Sequence, residues 1–170
     1  MPRTRSRLGR ALLRGTVEAM LPFTDVYITD WQDARDIPVS AGEFDMDEYI
    51  TYVIEFIKKL GSDVHLMAVC QPSVPVMVAA AVMNERKDKC APLSMTLIGG
   101  PIDARINPTK VNDAAMHKPL SWFESHVITR VPFNYPGFMR RVYPGFLQLS
   151  GFMSLNLDRH VNAHADLFKH

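Results

Sequence analysis

Cys70 stands where a nucleophile is often found, between a short apolar segment typical of a strand and a segment typical of a helix. The run Ala68-Val69-Cys70-Gln71-Pro72 has the layout of a nucleophile elbow, G-x-S-x-G, although Ala68 and Pro72 replace both glycines. A helix beginning behind the sulfur would favour the thiolate. The backbone N–H of Gln71 would then point toward an oxyanion. Because cysteine is also among the most frequently buried residue types, a core thiol is the alternative interpretation.

Other side chains capable of chemistry have a simpler structural interpretation. Asp103 follows a predicted strand, where it would act as a catalytic acid or, more simply, cap a turn, and Asp30 ends another strand as a turn residue. His65 lies within the strand that leads to Cys70, and we interpret it as a structural histidine. Cys90 lies in a charged loop with no helix start beside it, so we predict an unreactive thiol.

No metal site or cofactor is predicted. His160 and His164 are four positions apart and would share one side of a helix, but Val161 stands where H-E-x-x-H has its glutamate. The two cysteines lie in unlike contexts and have the spacing of neither zinc ligands nor a disulfide framework. We therefore interpret both histidines as surface residues.

The composition of the 170 residues favours one packed domain, with 47% hydrophobic residues and a formal net charge of +1. So small a charge creates no field that would attract nucleic acid. The longest apolar run, residues 74–83, has about half of the roughly 20 residues that a transmembrane helix needs. Arginines are concentrated near the N-terminus of the sequence, so residues 1–10 are predicted to be a disordered basic arm.

The elements that must position Cys70 are predicted strands alternating with helices, which favours an α/β fold with a parallel sheet and helices on both faces. The strands are predicted over residues 25–31, 64–70 and 94–100, and the helices over residues 11–20, 46–60 and 75–85. The helix over residues 46–60 is the best defined. Asp45 is a good N-cap, Glu48 completes a capping-box pair, and Gly61 follows as a stop.

The region after Pro101 is different in character. The tetrapeptide Tyr-Pro-Gly-Phe occurs at residues 135–138 and again at 143–146, which predicts an irregular aromatic region over the sheet. A helical pattern over residues 156–170 has no stop signal, so the end is interpreted as a truncation. We therefore divide the chain into the arm at 1–10, core at 11–118 and a cap or lid at 119–170.

Five blocks of this sequence resemble the central part of the intracellular polyhydroxyalkanoate depolymerases, which are α/β-hydrolases that degrade stored polyester. The blocks are "LLRGTVEAMLP", "DVYITDWQDAR", "MAVCQPSVPV", "LIGGPIDARINPT" and "RRVYPGFLQLSGFMSLNLDRHV". The resemblance implies a partial α/β-hydrolase fold in which Cys70 is the nucleophile of a Cys-Asp-His triad and forms an acyl-enzyme. It also implies that the aspartate and histidine of the triad lie outside this chain, which leaves the activity of the fragment in doubt.

The same resemblance implies a cytoplasmic protein, on storage granules, whose partners are the polymer and granule-surface proteins. Aromatic residues would line a groove for the apolar polyester or, equally, pack as a cap on their own core. The groove candidates are Trp122, Tyr135, Phe138, Tyr143 and Phe146. Trp31, Phe133 and Phe152 are further aromatic residues that could line it.

Two alternatives to the depolymerase stay open on the sequence. A polyhydroxyalkanoate synthase-like acyltransferase also uses a cysteine elbow, but forms polymer from acyl-CoA thioesters. A fragment that binds polyester granules without catalysis would need only the aromatic residues.

Overall fold

The computed structural model describes residues 7–106 and 108–154. The described parts of Met1–Ala41 and Thr129–Val142 form one compact unit, and those of Gly42–Ile128 and Tyr143–His170 form another. The helices are α1 Arg7–Met20, α2 Met46–Leu60, α3 Ser73–Glu85, α4 Lys110–His117, α5 Leu120–His126 and α6 Gly145–Ser154. The strands are β1 His65–Val69, β2 Ser94–Ile98, β3 Thr129–Arg130 and β4 Arg141–Val142.

The predicted strand over residues 25–31 is wrong, because this segment runs as irregular chain between α1 and a short 3₁₀ turn at Ala34–Asp36. Tyr27 and Ile28, expected inside a sheet, are 71% and 57% exposed. A strand needs a neighbour for its backbone hydrogen bonds, and none of the described residues pairs with this segment. The predicted helix over 11–20 is confirmed within α1. That helix begins at Arg7, so four residues of the predicted arm are helical, and residues 1–6 lie outside the described chain.

Helix α2 is confirmed with both predicted boundaries. The Asp45 side chain accepts a 2.9 Å hydrogen bond from the Glu48 backbone N–H, and Gly61 ends the helix with a φ of 108°, a conformation natural to glycine. The buried residues Val53, Ile54 and Ile57 pack with Ala79 and Met83 of α3 to form the core. Burial of this apolar surface is what holds the two helices together.

Strands β1 and β2 are parallel, as predicted, with Ala68 paired to Leu97. Helix α3 contacts both strands. Along β1, Leu66 and Ala68 are covered, whereas Met67 and Val69 are 43% and 42% exposed. The expected helices on both faces are therefore not found within the described residues, where one face of this two-stranded sheet is open. The chain is of the α/β class.

The predicted irregular aromatic region is more regular than expected. It contains α5, α6 and the antiparallel pair β3–β4. The two Tyr-Pro-Gly-Phe copies differ in structure: Gly137 donates a 2.7 Å hydrogen bond to the Arg35 carbonyl in a loop, whereas Gly145 begins α6. The helical pattern over 156–170 lies outside the described residues. None of the described helices is long and apolar enough to cross a membrane.

Candidate active site at the end of the first parallel strand

Cys70 lies at the carboxyl end of β1, where the chain turns into α3. Its side chain is exposed and in the free thiol form, so the alternative of a buried core thiol is wrong. Its backbone N–H donates a 2.8 Å hydrogen bond to the carbonyl of Ile98, which ties the turn to the end of β2. In parallel α/β sheets, ligands bind at this end of the strands.

The backbone of Cys70 is left-handed, with a φ of 67°. For a residue with a Cβ, this conformation costs about 1–2 kcal/mol, and such residues cluster at functional sites. Two other described non-glycine residues share it: Lys87 just beyond the end of α3 and Met139 in the loop before β4. Cys70 alone of the three joins a strand to a helix, which is the geometry of a nucleophile elbow.

The turn is closed by contacts that hold this left-handed conformation. The Ser73 backbone N–H donates to the Cys70 carbonyl at 3.0 Å, and the Val74 N–H donates to the Gln71 carbonyl at 3.2 Å. Ser73 is fully buried, and its hydroxyl donates to the Ala68 carbonyl at 3.4 Å. The thiol is therefore carried on a turn that is bonded to both flanking elements.

Gly100, just beyond β2, packs directly against this turn. A Cβ at position 100 would overlap the Ser73 side chain and lie 2.9 Å from the Cys70 carbonyl oxygen. Neither Ser73 nor Gly100 stood out in the sequence as a supporting residue. The only signal was the Gly99-Gly100 pair, which also suits the simple end of a strand.

The backbone N–H of Gln71 remains a predicted oxyanion donor. In the part of the chain that the structure describes, it donates to no backbone carbonyl, and the next residue, Pro72, has no N–H to offer. The Gln71 N–H thus lies ahead of α3, at the helix end where a negative charge is stabilised.

A concave pocket of about 380 Å³ adjoins the turn. It lies between the first turns of α2 and α3, and the segment after β2 closes one side. Its lining residues are Met46, Tyr49, Gln71, Pro72, Val74, Pro75 and Pro101. None of them is charged, so the pocket suits an uncharged, largely apolar ligand.

No general base is hydrogen-bonded to the thiol within residues 7–106 and 108–154. The Cys70 side chain makes no hydrogen bond there, and no cluster of three possible metal ligands occurs there. His65 instead bonds the Ser94 hydroxyl across the sheet at 2.7 Å, in agreement with a structural role. Asp103 accepts two 2.8 Å hydrogen bonds from the Arg105 guanidinium, and this side-chain bonding lowers the pKa of the carboxyl.

The predicted groove residues are divided between the two units. Trp122 is half-buried in α5 and stacks on His126 with ring centroids 4.6 Å apart. Tyr135 lies beneath the Arg35 guanidinium at 5.3 Å. Phe138, Tyr143 and Phe146 are exposed. Tyr135 and Phe138 belong to a different unit from the other three, so the groove stays a prediction.

The remaining candidates are Cys90, residues of the other unit, and residues whose side chains are not described. Cys90 is half-buried against the α2–α3 core, and its backbone N–H donates to the Asp88 carboxylate at 2.9 Å. Asp30, Trp31 and Phe133 are exposed in the other unit. His160, His164 and the side chain of Phe152 are not among the residues described.

Residues 99–170 match the protein family "PHB de-polymerase C-terminus". The match begins just after β2 and so includes Gly100 and Pro101 but not Cys70. No curated protein and no solved structure matches this chain.

Proposed function

We propose that this chain, whose residues 99–170 match the PHB depolymerase C-terminal family, attacks ester bonds with Cys70. The single observation that carries the proposal is the left-handed, exposed Cys70 between a parallel strand and a helix. Strain of this kind is retained where the surroundings enforce it, and here Ser73 and Gly100 do so.

The proposed chemistry is acyl transfer through a thioester. The Cys70 thiolate attacks the ester carbonyl carbon, and a C–S bond forms while the C–O bond to the alcohol breaks. The thiol proton passes to solvent when the thiolate forms, and the departing alkoxide takes a proton from solvent and leaves as the hydroxyl end of the shortened polymer. Water then adds to the thioester carbonyl, releasing a carboxylic acid and restoring the thiol.

Hydrogen-bond donors must stabilise the negative charge that develops on the carbonyl oxygen during the attack. The Gln71 N–H supports this role because it follows the nucleophile directly and precedes α3. The histidine and aspartate of the triad are not assigned to any residue of this chain. Hydrolysis by the 170 residues alone is therefore expected to be slow, while acylation of Cys70 needs only the thiol and its turn.

The substrate class that we propose is polyhydroxyalkanoate storage polyester, such as poly(3-hydroxybutyrate), or its oligomers. The family match supports a polymer substrate, and the uncharged lining of the neighbouring pocket supports a neutral ester. We further propose that the protein acts in the cytoplasm at the surface of polyester granules.

Trapping of the acyl group tests the nucleophile. The folded chain is mixed with p-nitrophenyl butyrate, quenched in acid and digested, and the mass of each cysteine peptide is measured. We expect a butyryl adduct on the Cys70 peptide that forms well before any on the Cys90 peptide and is missing in Cys70→Ala. Acylation of both peptides at the same rate would contradict the proposal.

The reaction products distinguish a synthase-like activity from hydrolysis. Incubation with hydroxybutyryl-CoA would yield polymer and free CoA if the chain were a synthase, whereas incubation with amorphous granules releases soluble hydroxyacid if it is a depolymerase. The family match favours the second result.

A non-catalytic, granule-binding role is favoured by the exposure of large aromatic side chains. Phe133 and Phe146 are 84% and 71% exposed, which is unusual for phenylalanine. If the chain binds granules but releases no soluble acid, and Cys70→Ala changes neither result, the binding role is the correct one.

A further inference from the structure

The pocket beside Gln71 is built by residues that the α2–α3 packing brings to one end of the core. Met46 and Tyr49 come from the first turn of α2, and Val74 and Pro75 come from the first turn of α3. The two helices are held together by the buried core further along. The packing of the two helices therefore fixes four of the seven lining residues, and the other three, Gln71, Pro72 and Pro101, come from the segments that follow β1 and β2.

Its position relative to the thiol follows from the chain itself. Gln71 and Pro72, which line the pocket, are the two residues that follow Cys70. Pro101, which lines another side, follows the glycine that packs against the Cys70 carbonyl. Cys70 is not itself a lining residue, so an acyl group attached to its sulfur would have to extend past Gln71 to enter this space.

The chemistry of the walls indicates which part of a substrate enters. Five of the seven lining residues are methionine, valine or proline, and the polar groups are the Tyr49 hydroxyl and the Gln71 amide. Burial raises the pKa of Tyr49, so its hydroxyl stays neutral. A volume of about 380 Å³ is at the small end of the range of about 300–1,000 Å³ that small-molecule pockets occupy. It suits a short hydrocarbon chain.

We propose that this pocket holds the alkyl side chain of the hydroxyacyl unit that is transferred to Cys70, and that Met46 sets the length it accepts. The inference rests on the proposed role of Cys70 and adds the residues that determine specificity. Met46 is suited to this role because it is 53% exposed at the rim, and its flexible, unbranched side chain fills space that a shorter one would leave open.

Alkylation of the thiol by iodoacetamides of increasing chain length tests the pocket independently of hydrolysis. In each reaction the Cys70 sulfur forms a bond to the methylene carbon, iodide leaves, and the thiol proton passes to solvent. Rates are measured for iodoacetamide, N-butyl-iodoacetamide and N-octyl-iodoacetamide over a range of concentrations. The half-saturating concentration reports binding, and the limiting rate reports reactivity of the thiol.

Two variants of Met46 should move the chain-length preference in opposite directions. Each buried methylene improves binding by about fourfold, so Met46→Ala should improve the octyl-to-butyl binding ratio by about 3- to 10-fold. Met46→Phe should lower the ratio by filling the space. Met116→Ala is the matched control, because Met116 is 83% exposed on α4 of the same unit and lines no part of the pocket.

The result distinguishes failure of this inference from failure of the proposed nucleophile. If iodoacetamide itself alkylates Cys70 rapidly but the octyl-to-butyl ratio is the same in all Met46 variants, the pocket is not the acyl site. The same conclusion follows if Met116→Ala shifts the ratio as much as Met46→Ala. If iodoacetamide alkylates Cys70 no faster in the folded chain than in urea, the thiol is not activated, and the nucleophile itself is wrong.

Discussion

Replacement of Gly100 by alanine should disturb the elbow, because Gly100 packs directly against it. The added Cβ would overlap the side chain of Ser73 and lie 2.9 Å from the Cys70 carbonyl oxygen. Ser73 is fully buried, so its side chain has no open space to rotate into. Overpacking of this kind costs about 1–3 kcal/mol, and a backbone contact places Gly100→Ala in the upper half of that range.

The assay combines stability with reactivity. Urea unfolding should show a loss of about 2 kcal/mol, which corresponds to a fall in the thermal midpoint of about 4–8 °C for a chain of this size. The limiting rate of Cys70 alkylation should fall as well, because the turn must shift to admit the methyl group. Gly145→Ala is the matched control, since a Cβ there meets no atom within 4 Å.

Ser73→Gly in the Gly100→Ala background provides a further check on this contact. Removal of the Ser73 side chain should relieve the overlap, so the two changes together should cost less than the sum of the single changes by about 0.5–3 kcal/mol. Strict additivity, or a Gly100→Ala protein as stable as Gly145→Ala, would refute the packing that we describe.

Three other changes test separate parts of the structure. Cys70→Gly should be more stable to urea than Cys70→Ala by about 1 kcal/mol, because glycine tolerates the left-handed backbone; equal stability would contradict that conformation. Asp45→Ala should cost about 1 kcal/mol by leaving the Glu48 N–H without its cap, and Asp45→Asn should restore most of the loss in the same urea measurement. The Asp103 carboxyl should titrate by NMR below its ordinary pKa of about 3.9, and the pKa should rise in Arg105→Gln. Because the lowered pKa belongs to the folded state, the stability gained from this pair is present above about pH 3.9 and is lost as the pH falls through the folded pKa.

Local signals in the sequence predicted those elements whose boundaries are set by nearby residues. Helix α2 carries its own N-cap and glycine stop, and both predictions hold. The parallel pairing of β1 and β2 followed from the alternation of strands and helices. The strand over 25–31 failed because apolar and β-branched residues favour a strand only where a neighbouring strand accepts its hydrogen bonds.

The candidate site was predictable only in part, because some of its features depend on contacts between segments that are distant in sequence. The position of Cys70 between strand and helix could be read from the sequence, but its left-handed backbone could not, since cysteine gives no signal for it. The contact between Ser73 and Gly100 joins segments that are distant in sequence. The pocket depends on how the starts of α2 and α3 meet, which packing decides rather than any local pattern.

The central claim, that the elbow activates the Cys70 thiol, is tested most directly by comparing its alkylation by iodoacetamide in the folded chain and in urea. An exposed but ordinary thiol reacts no faster when folded than when unfolded. We expect Cys70, which is exposed on the elbow, to react faster in the folded chain than in urea, whereas the half-buried Cys90 should react more slowly when folded. A folded-state rate for Cys70 equal to or below its rate in urea would contradict the account.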